Sequence, residues 1–403
     1  MSKTFLRAAL AIIVGVASVT CARAGTETVL YSFNGGTDGN EPLGGLSFDK
    51  VGHLFGTTLG GGAHNWGTVF KMTKTSNGWV LQTIHSFANS DGADPYGTLV
   101  VKGSGTLYGT TDVGGSQMLG TVFKLTLARG KWTESVLHSF SGGSDGAEPR
   151  AGVVFDVAGN IYGTTIAGGN AICSGGCGTV FKLKHNPDGS WTESVIYRFA
   201  GGSDGINPYG GLVIDSKGIL YGTTYYGGTG SGIVFALKHT TKGWVKKTLY
   251  SFEGGSDGSN PYLGSLIFDS TGDLYGTTES GGNSGAGTVF ELVHNPDGSW
   301  TEKVLHSFDG GDGYNPENGL AFDHSGNLYS TTINGGANGR GTVFELAPNS
   351  NGTWTETVVY SFDLGGDGFA PEAGVILDSS GDLYGTTING GVASAGVVFE
   401  VVP

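Results

Sequence analysis

An all-β fold, a seven-bladed β-propeller of four-stranded blades closed by its own chain ends, is predicted by three observations. One unit recurs seven times, with its Ser-Phe landmark (Arg-Phe in one copy) at Phe33, Phe87, Phe140, Phe199, Phe252, Phe308 and Phe362. Each unit offers four runs rich in Val, Ile, Phe, Tyr and Thr, and none shows the three-and-four spacing of a helix. The last unit stops after three such runs, and the missing fourth lies at the other end of the chain, over residues 26–33. Four strands in a unit of 53 to 59 residues describe a propeller blade. Sharing one blade between the two ends leaves no strand edge open, whereas an open solenoid has no reason to split a unit.

The third unit shows the elements in order. Strands are predicted over residues 152–156, 160–165, 178–184 and 191–199. Asp156-Val-Ala-Gly159 and Asn186-Pro-Asp-Gly189 supply tight turns with Gly where positive φ is needed. The first strand begins with small residues in most copies (Gly45, Gly152, Gly211, Gly319, Gly374), as expected where seven strands converge on one axis. Runs such as Val69-Phe70, Val122-Phe123 and Val289-Phe290 place apolar groups on both faces, as strands covered by two neighbouring blades require.

Composition bounds the rest. Gly makes up 77 of 403 residues, but its fixed places between apolar runs exclude collagen and disorder. No linker or charge run interrupts the copies, so residues 25–403 are read as one domain. Residues 1–24 read as a secretory signal: Lys3 and Arg7, an apolar run too short to span a bilayer, then Ala22-Arg23-Ala24 as a cleavage site. Cys21 could suggest a lipoprotein, but Thr20 is a poor residue before it. Export to the periplasm or the extracellular space is therefore expected. Cleavage there leaves 18 basic against 35 acidic residues, a balance that repels nucleic acid and anionic lipid. No later segment is long and apolar enough to cross a membrane. Cys173 and Cys177 flank Ser-Gly-Gly in the one copy with a longer middle loop, and in an exported chain this even pair favours a disulfide.

The runs Leu-Tyr-Gly-Thr-Thr, Gly-Thr-Val-Phe and Ser-Phe-x-Gly-Gly-x-Asp-Gly resemble the bacterial GloVer tandem repeat of exported choice-of-anchor proteins, across essentially all of residues 25–403. The resemblance implies export and a repeat architecture, and no established activity. No sorting signal or barrel follows Pro403, so no anchor is expected. A weaker likeness to Kelch repeats implies the same fold.

Four motifs have plainer readings. Gly142-Gly-Ser144-Asp-Gly146 and its two relatives match a nucleophile elbow, but that elbow needs a strand–turn–helix, and no helix is expected. The repeated acids Asp38, Asp91, Asp145, Asp204, Asp257, Asp312 and Asp367 each precede Gly. They are expected to accept a backbone N–H two residues on. The rival role is calcium binding, the one cofactor considered, with Glu41, Asp94, Glu148, Asn207, Asn260 and Asn315 as second ligands. No metal is assigned. His85, His138 and His306 share a position that is Tyr in the other copies, which points to an outer-strand aromatic rather than a ligand. The six repeated Trp are read as packing.

Chemistry is sought where the copies differ. Immediately after the repeated Pro stand Leu43, Tyr96, Arg150, Tyr209, Tyr262, Glu317 and Glu372, which open the innermost strands at the rim of the channel. The loop between the second and third strands also varies, with His64-Asn-Trp66 in one copy and Tyr225-Tyr226 in another. Both sets are expected on one face. Tyr96, Arg150, Tyr209, Tyr262, Glu317 and Glu372 are the candidate ligand-binding residues, suited to a carbohydrate or a peptide. No catalytic residue is assigned, and the expectation is a monomeric binding scaffold. The rivals are a polysaccharide-active lyase or hydrolase using channel-mouth carboxylates, and a passive envelope or matrix protein.

Overall fold

The computed structural model describes residues 25–364 and 366–403; the expected signal segment, residues 1–24, lies outside them. Seven four-stranded antiparallel sheets form the ring. Six follow chain order from the axis outward. The seventh runs Ile376–Leu377, Leu383–Thr387, Val397–Val402 and then Thr26–Ser32. Thr26 stands opposite Val402 and Ser32 opposite Val397, so the chain ends close the ring as expected. The Phe33 N–H donates to the Gly396 carbonyl at 3.0 Å and extends that seam. The only helical elements among the described residues are two short 3₁₀ turns, Gly143–Asp145 and Gly202–Asp204.

The innermost strand is shorter than expected: in the third blade it is Val154–Phe155 rather than residues 152–156. The glycines before it have another duty. A Cβ on Gly152 would lie 2.4 Å from the Thr98 carbonyl oxygen, and one on Gly374 2.4 Å from that of Gly319. Backbone meets backbone from blade to blade around the axis, so this stretch does not pair within its own sheet. The second strand is buried at five consecutive residues, as in Leu54–Thr58 and Ile161–Thr165, because both its faces are covered.

The seams between blades repeat one contact. The seven landmark Phe side chains are fully buried. Each meets the Phe of the next blade's third strand edge-on, as in Phe33–Phe70 at 5.4 Å and Phe140–Phe181 at 5.2 Å. In six blades that second Phe lies across the Gly of its neighbouring strand: a Cβ on Gly56 would come 2.4 Å from the Phe70 ring. The Trp residues also pack across seams, Trp132 on Phe55 and Trp300 on Tyr221. The Cys173–Cys177 disulfide is formed, with Cys177 buried in the seam between the third and fourth blades.

Candidate functional site

Two sets of loops share one face. The residue after each Asp-Gly turn bridges the residue that leaves the second strand, as in Ala147 with Ala167 and Ile206 with Tyr226. The repeated Asp builds that face, although not through the bond expected. Instead of an N–H two residues on, each accepts the N–H of the residue just after the landmark Phe, at 2.7–3.2 Å. In six of the seven copies it also takes a hydrogen bond from the Tyr or His two residues before that Phe. Examples are Tyr197 Oη at 2.7 Å and His306 Nε2 at 2.8 Å. The sequence spacing hid this because the turn folds back onto the strand that feeds it.

The residues offered as second calcium ligands have left-handed backbones, φ between 54° and 60°. Three of them use their amides as donors to the preceding blade: Asn207 Nδ2 to the Ile166 carbonyl, Asn260 Nδ2 to that of Tyr225, and Asn315 Nδ2 to that of Glu279. The Gly-x-Ser-x-Gly elbow is an exposed 3₁₀ turn with no α-helix behind it.

The channel mouth brings four of the six candidate residues into one chain of contact. The Arg150 guanidinium lies 5.0 Å from the Tyr96 ring centroid and 5.6 Å from that of Tyr209. Tyr209 meets Tyr262 at 4.8 Å, and Tyr225 joins both at 5.4 and 5.5 Å. This aromatic arc spans the second to fifth blades. Glu317 and Glu372 continue the ring over the sixth and seventh. All six are half-buried. Below them an axial cavity of about 300 Å³ is lined from all seven blades, with Tyr96, Arg150 and Glu372 at its wall.

The two arcs differ in charge. Arg150 Nε donates to Asp112 at 3.2 Å, and that nearby carboxylate keeps the guanidinium protonated against its burial. Glu317 has neighbours of like sign instead. Burial, then Glu279 and then Glu372 push its carboxyl up to about 8. Burial and Glu41 raise Glu372 as well. Around neutral pH Glu317 thus holds a proton, which makes it a donor as well as an acceptor. Asn318 beside it is 5% exposed, lines the cavity, and has no hydrogen-bond partner for its Nδ2.

Asp112 and Glu279 were missed by the sequence reading. Glu279 Oε2 accepts the Tyr225 hydroxyl at 2.7 Å. The signal was a repeat position: the residue after Thr-Thr is Leu59, Ile166, Ile333 or Ile388 in four copies, but Asp112, Tyr225 and Glu279 in three. Those three blades carry the aromatic arc or border it.

Residues 15–235 and 229–403 match the family described as the Gloeobacter/Verrucomicrobia repeat. No curated protein matches the chain in sequence. Among solved structures the chain is similar to a candidate 6-phosphogluconolactonase from Bacteroides uniformis. The identity is 17%, over 83% of this chain and 88% of that one, with a TM-score of 0.55. A candidate oxidoreductase (glucose dehydrogenase) from Thermus thermophilus aligns at 15% identity over 94% of this chain and 100% of that one, with a TM-score of 0.44. At 17% identity the first likeness is one of fold alone.

Proposed function

The chain belongs to the Gloeobacter/Verrucomicrobia repeat family, and from that premise we propose that it is an exported, non-catalytic propeller that binds a carbohydrate or peptide at the channel mouth. The observation that carries this reading is the unbroken contact from Tyr96 through Arg150 and Tyr209 to Tyr262, formed at a repeat position that varies from blade to blade. Aromatic faces suit the apolar faces of sugars or side chains, while the carboxyl groups of Glu317 and Glu372 and the Asn318 amide offer directed hydrogen bonds. Screening residues 25–403 against glycan and peptide arrays tests it. A hit should weaken on Tyr209→Ala, since Tyr209 touches Arg150, Tyr225 and Tyr262. Affinity unchanged by that substitution would move the site elsewhere.

One observation favours a second reading. A protonated Glu317 beside a second carboxyl, Glu372, is the equipment of a polysaccharide hydrolase or lyase. Release of new sugar ends from an array hit, abolished by Glu317→Gln, would establish it over simple binding.

A further inference from the structure

Away from the mouth, the outer rim carries a second kind of cluster, independent of the ligand reading. His138 closes the outer strand Lys131–Ser139 of the second blade, Asp145 follows in the turn, and Glu193 lies on the outer strand Trp191–Arg198 of the third. His306, Asp312 and Glu356 repeat this between the fifth and sixth blades. We propose that these two trios are metal sites for a divalent first-row cation of zinc type, each clasping two neighbouring blades.

Geometry comes first. In each trio one His nitrogen and two carboxylate oxygens lie within 4.8 Å of one another. One imidazole with two carboxylates, leaving open positions, is a donor set that zinc accepts and calcium, which prefers oxygen alone, does not. Second, Glu193 Oε1 and Glu356 Oε1 are shielded from solvent and have no hydrogen-bond partner. A buried carboxylate oxygen in that state calls for a proton or a cation.

Third, one seam already seats a cation at this place. Between the third and fourth blades the Glu is replaced by Lys246, which is 6% exposed. Its ammonium bonds the Asp204 carboxylate at 2.8 Å and the Asp204 carbonyl at 2.7 Å. Fourth, His stands at this position only where the next blade supplies Glu: His85 with Glu134, His138 with Glu193 and His306 with Glu356. Tyr is not so restricted, facing Leu81 at Tyr31, Lys246 at Tyr197, Glu302 at Tyr250 and Glu27 at Tyr360. The His85, Asp91 and Glu134 trio does not bring its three ligand atoms within 4.8 Å of one another and is not counted as a site.

The test uses a substitution that the repeat itself supplies. His138→Tyr and His306→Tyr install the residue that stands at this position in four other copies, so folding should be retained. Chelator-stripped protein, residues 25–403, is titrated with zinc by calorimetry at pH 8 and melted with and without zinc. The double variant should bind two fewer zinc ions than the parent and lose the zinc-dependent rise in melting temperature. Each single variant should bind one fewer. If the double variant misfolds, Glu193→Gln with Glu356→Gln should give the same loss. A parent that binds no zinc, or equal stoichiometry in parent and folded variant, overturns the proposal.

Discussion

The seams between blades and the mouth of the channel each take one side chain per copy, yet they treat the repeat in opposite ways. The seam position is Phe in all seven copies, from Phe33 to Phe362. The mouth position is Leu43, Tyr96, Arg150, Tyr209, Tyr262, Glu317 and Glu372. A seam residue must fit an almost identical neighbour, so one solution serves every interface. A mouth residue faces a shared space and is released from that constraint. Asymmetry, which chemistry needs and packing does not, gathers where the repeat stops enforcing sameness. The rim lies between these extremes: Asp is kept in every copy while its neighbour from the next blade is Glu, Lys or Leu.

The comparison breaks most visibly at ring closure. Deleting residues 25–33 removes the outer strand of one blade and a seam Phe, and exposes Val397–Val402 as an edge. A sharp fall in melting temperature with aggregation is expected. A truncated chain that melts like the intact one would show that closure holds nothing together.

Next in size is a single seam. Phe140→Ala should destabilise by about 3–5 kcal/mol, the cost of truncating a fully buried aromatic, read as a lower urea midpoint. Ligand binding by the molecules that remain folded should be unchanged. A loss of binding beyond the unfolded fraction would mean that seam and mouth are not separable.

A smaller effect should come from pH. Burial pushes Glu27, Glu193, Glu302 and Glu356 up to about 7 and Glu134 to about 8. Like charges add to this: Asp367 and Asp363 on Glu27, Asp91 on Glu134, Asp145 on Glu193, Asp257 on Glu302, and Asp312 and Asp309 on Glu356. Arg198 and His306 offset part of it at Glu193 and Glu356. The folded state therefore keeps protons that the unfolded chain, titrating near 4.5, has released. Their stabilisation is complete below that value and lost as pH rises through about 7 to 8. Urea midpoints in chelator should fall from pH 5.5 to pH 8.5, and Glu302→Gln should flatten the slope. A midpoint that rises over this range would contradict the buried-carboxyl account.

How much was legible follows from the same contrast. The ring could be read because each seam contact is written seven times. The split blade at residues 26–33 is visible as a missing fourth run. The varied position at the mouth was legible too, since Tyr96, Arg150, Tyr209, Tyr262, Glu317 and Glu372 stand where the copies differ. Asp112 and Glu279 did not stand out, because they follow a strand that reads as ordinary until the position is set beside Leu59, Ile166, Ile333 and Ile388. The short innermost strand was also hidden: backbone contact between glycines of different blades leaves no mark in hydrophobic pattern. The rim trios were the least legible. Their members come from two copies, and only the packing of one blade on the next brings Glu193 to Asp145 or Glu356 to Asp312.

The most direct test is a paired measurement on Tyr96→Ala/Tyr209→Ala/Tyr262→Ala, using whichever glycan or peptide the arrays identify. These side chains are half-buried at the mouth, where Tyr209 meets Tyr262 and Arg150 links Tyr96 to Tyr209. Binding should weaken by at least tenfold, about 1.4 kcal/mol, while melting shifts less than in Phe140→Ala. Unchanged affinity, or a loss of stability as large as that of Phe140→Ala, would show that the varied position is scaffold after all.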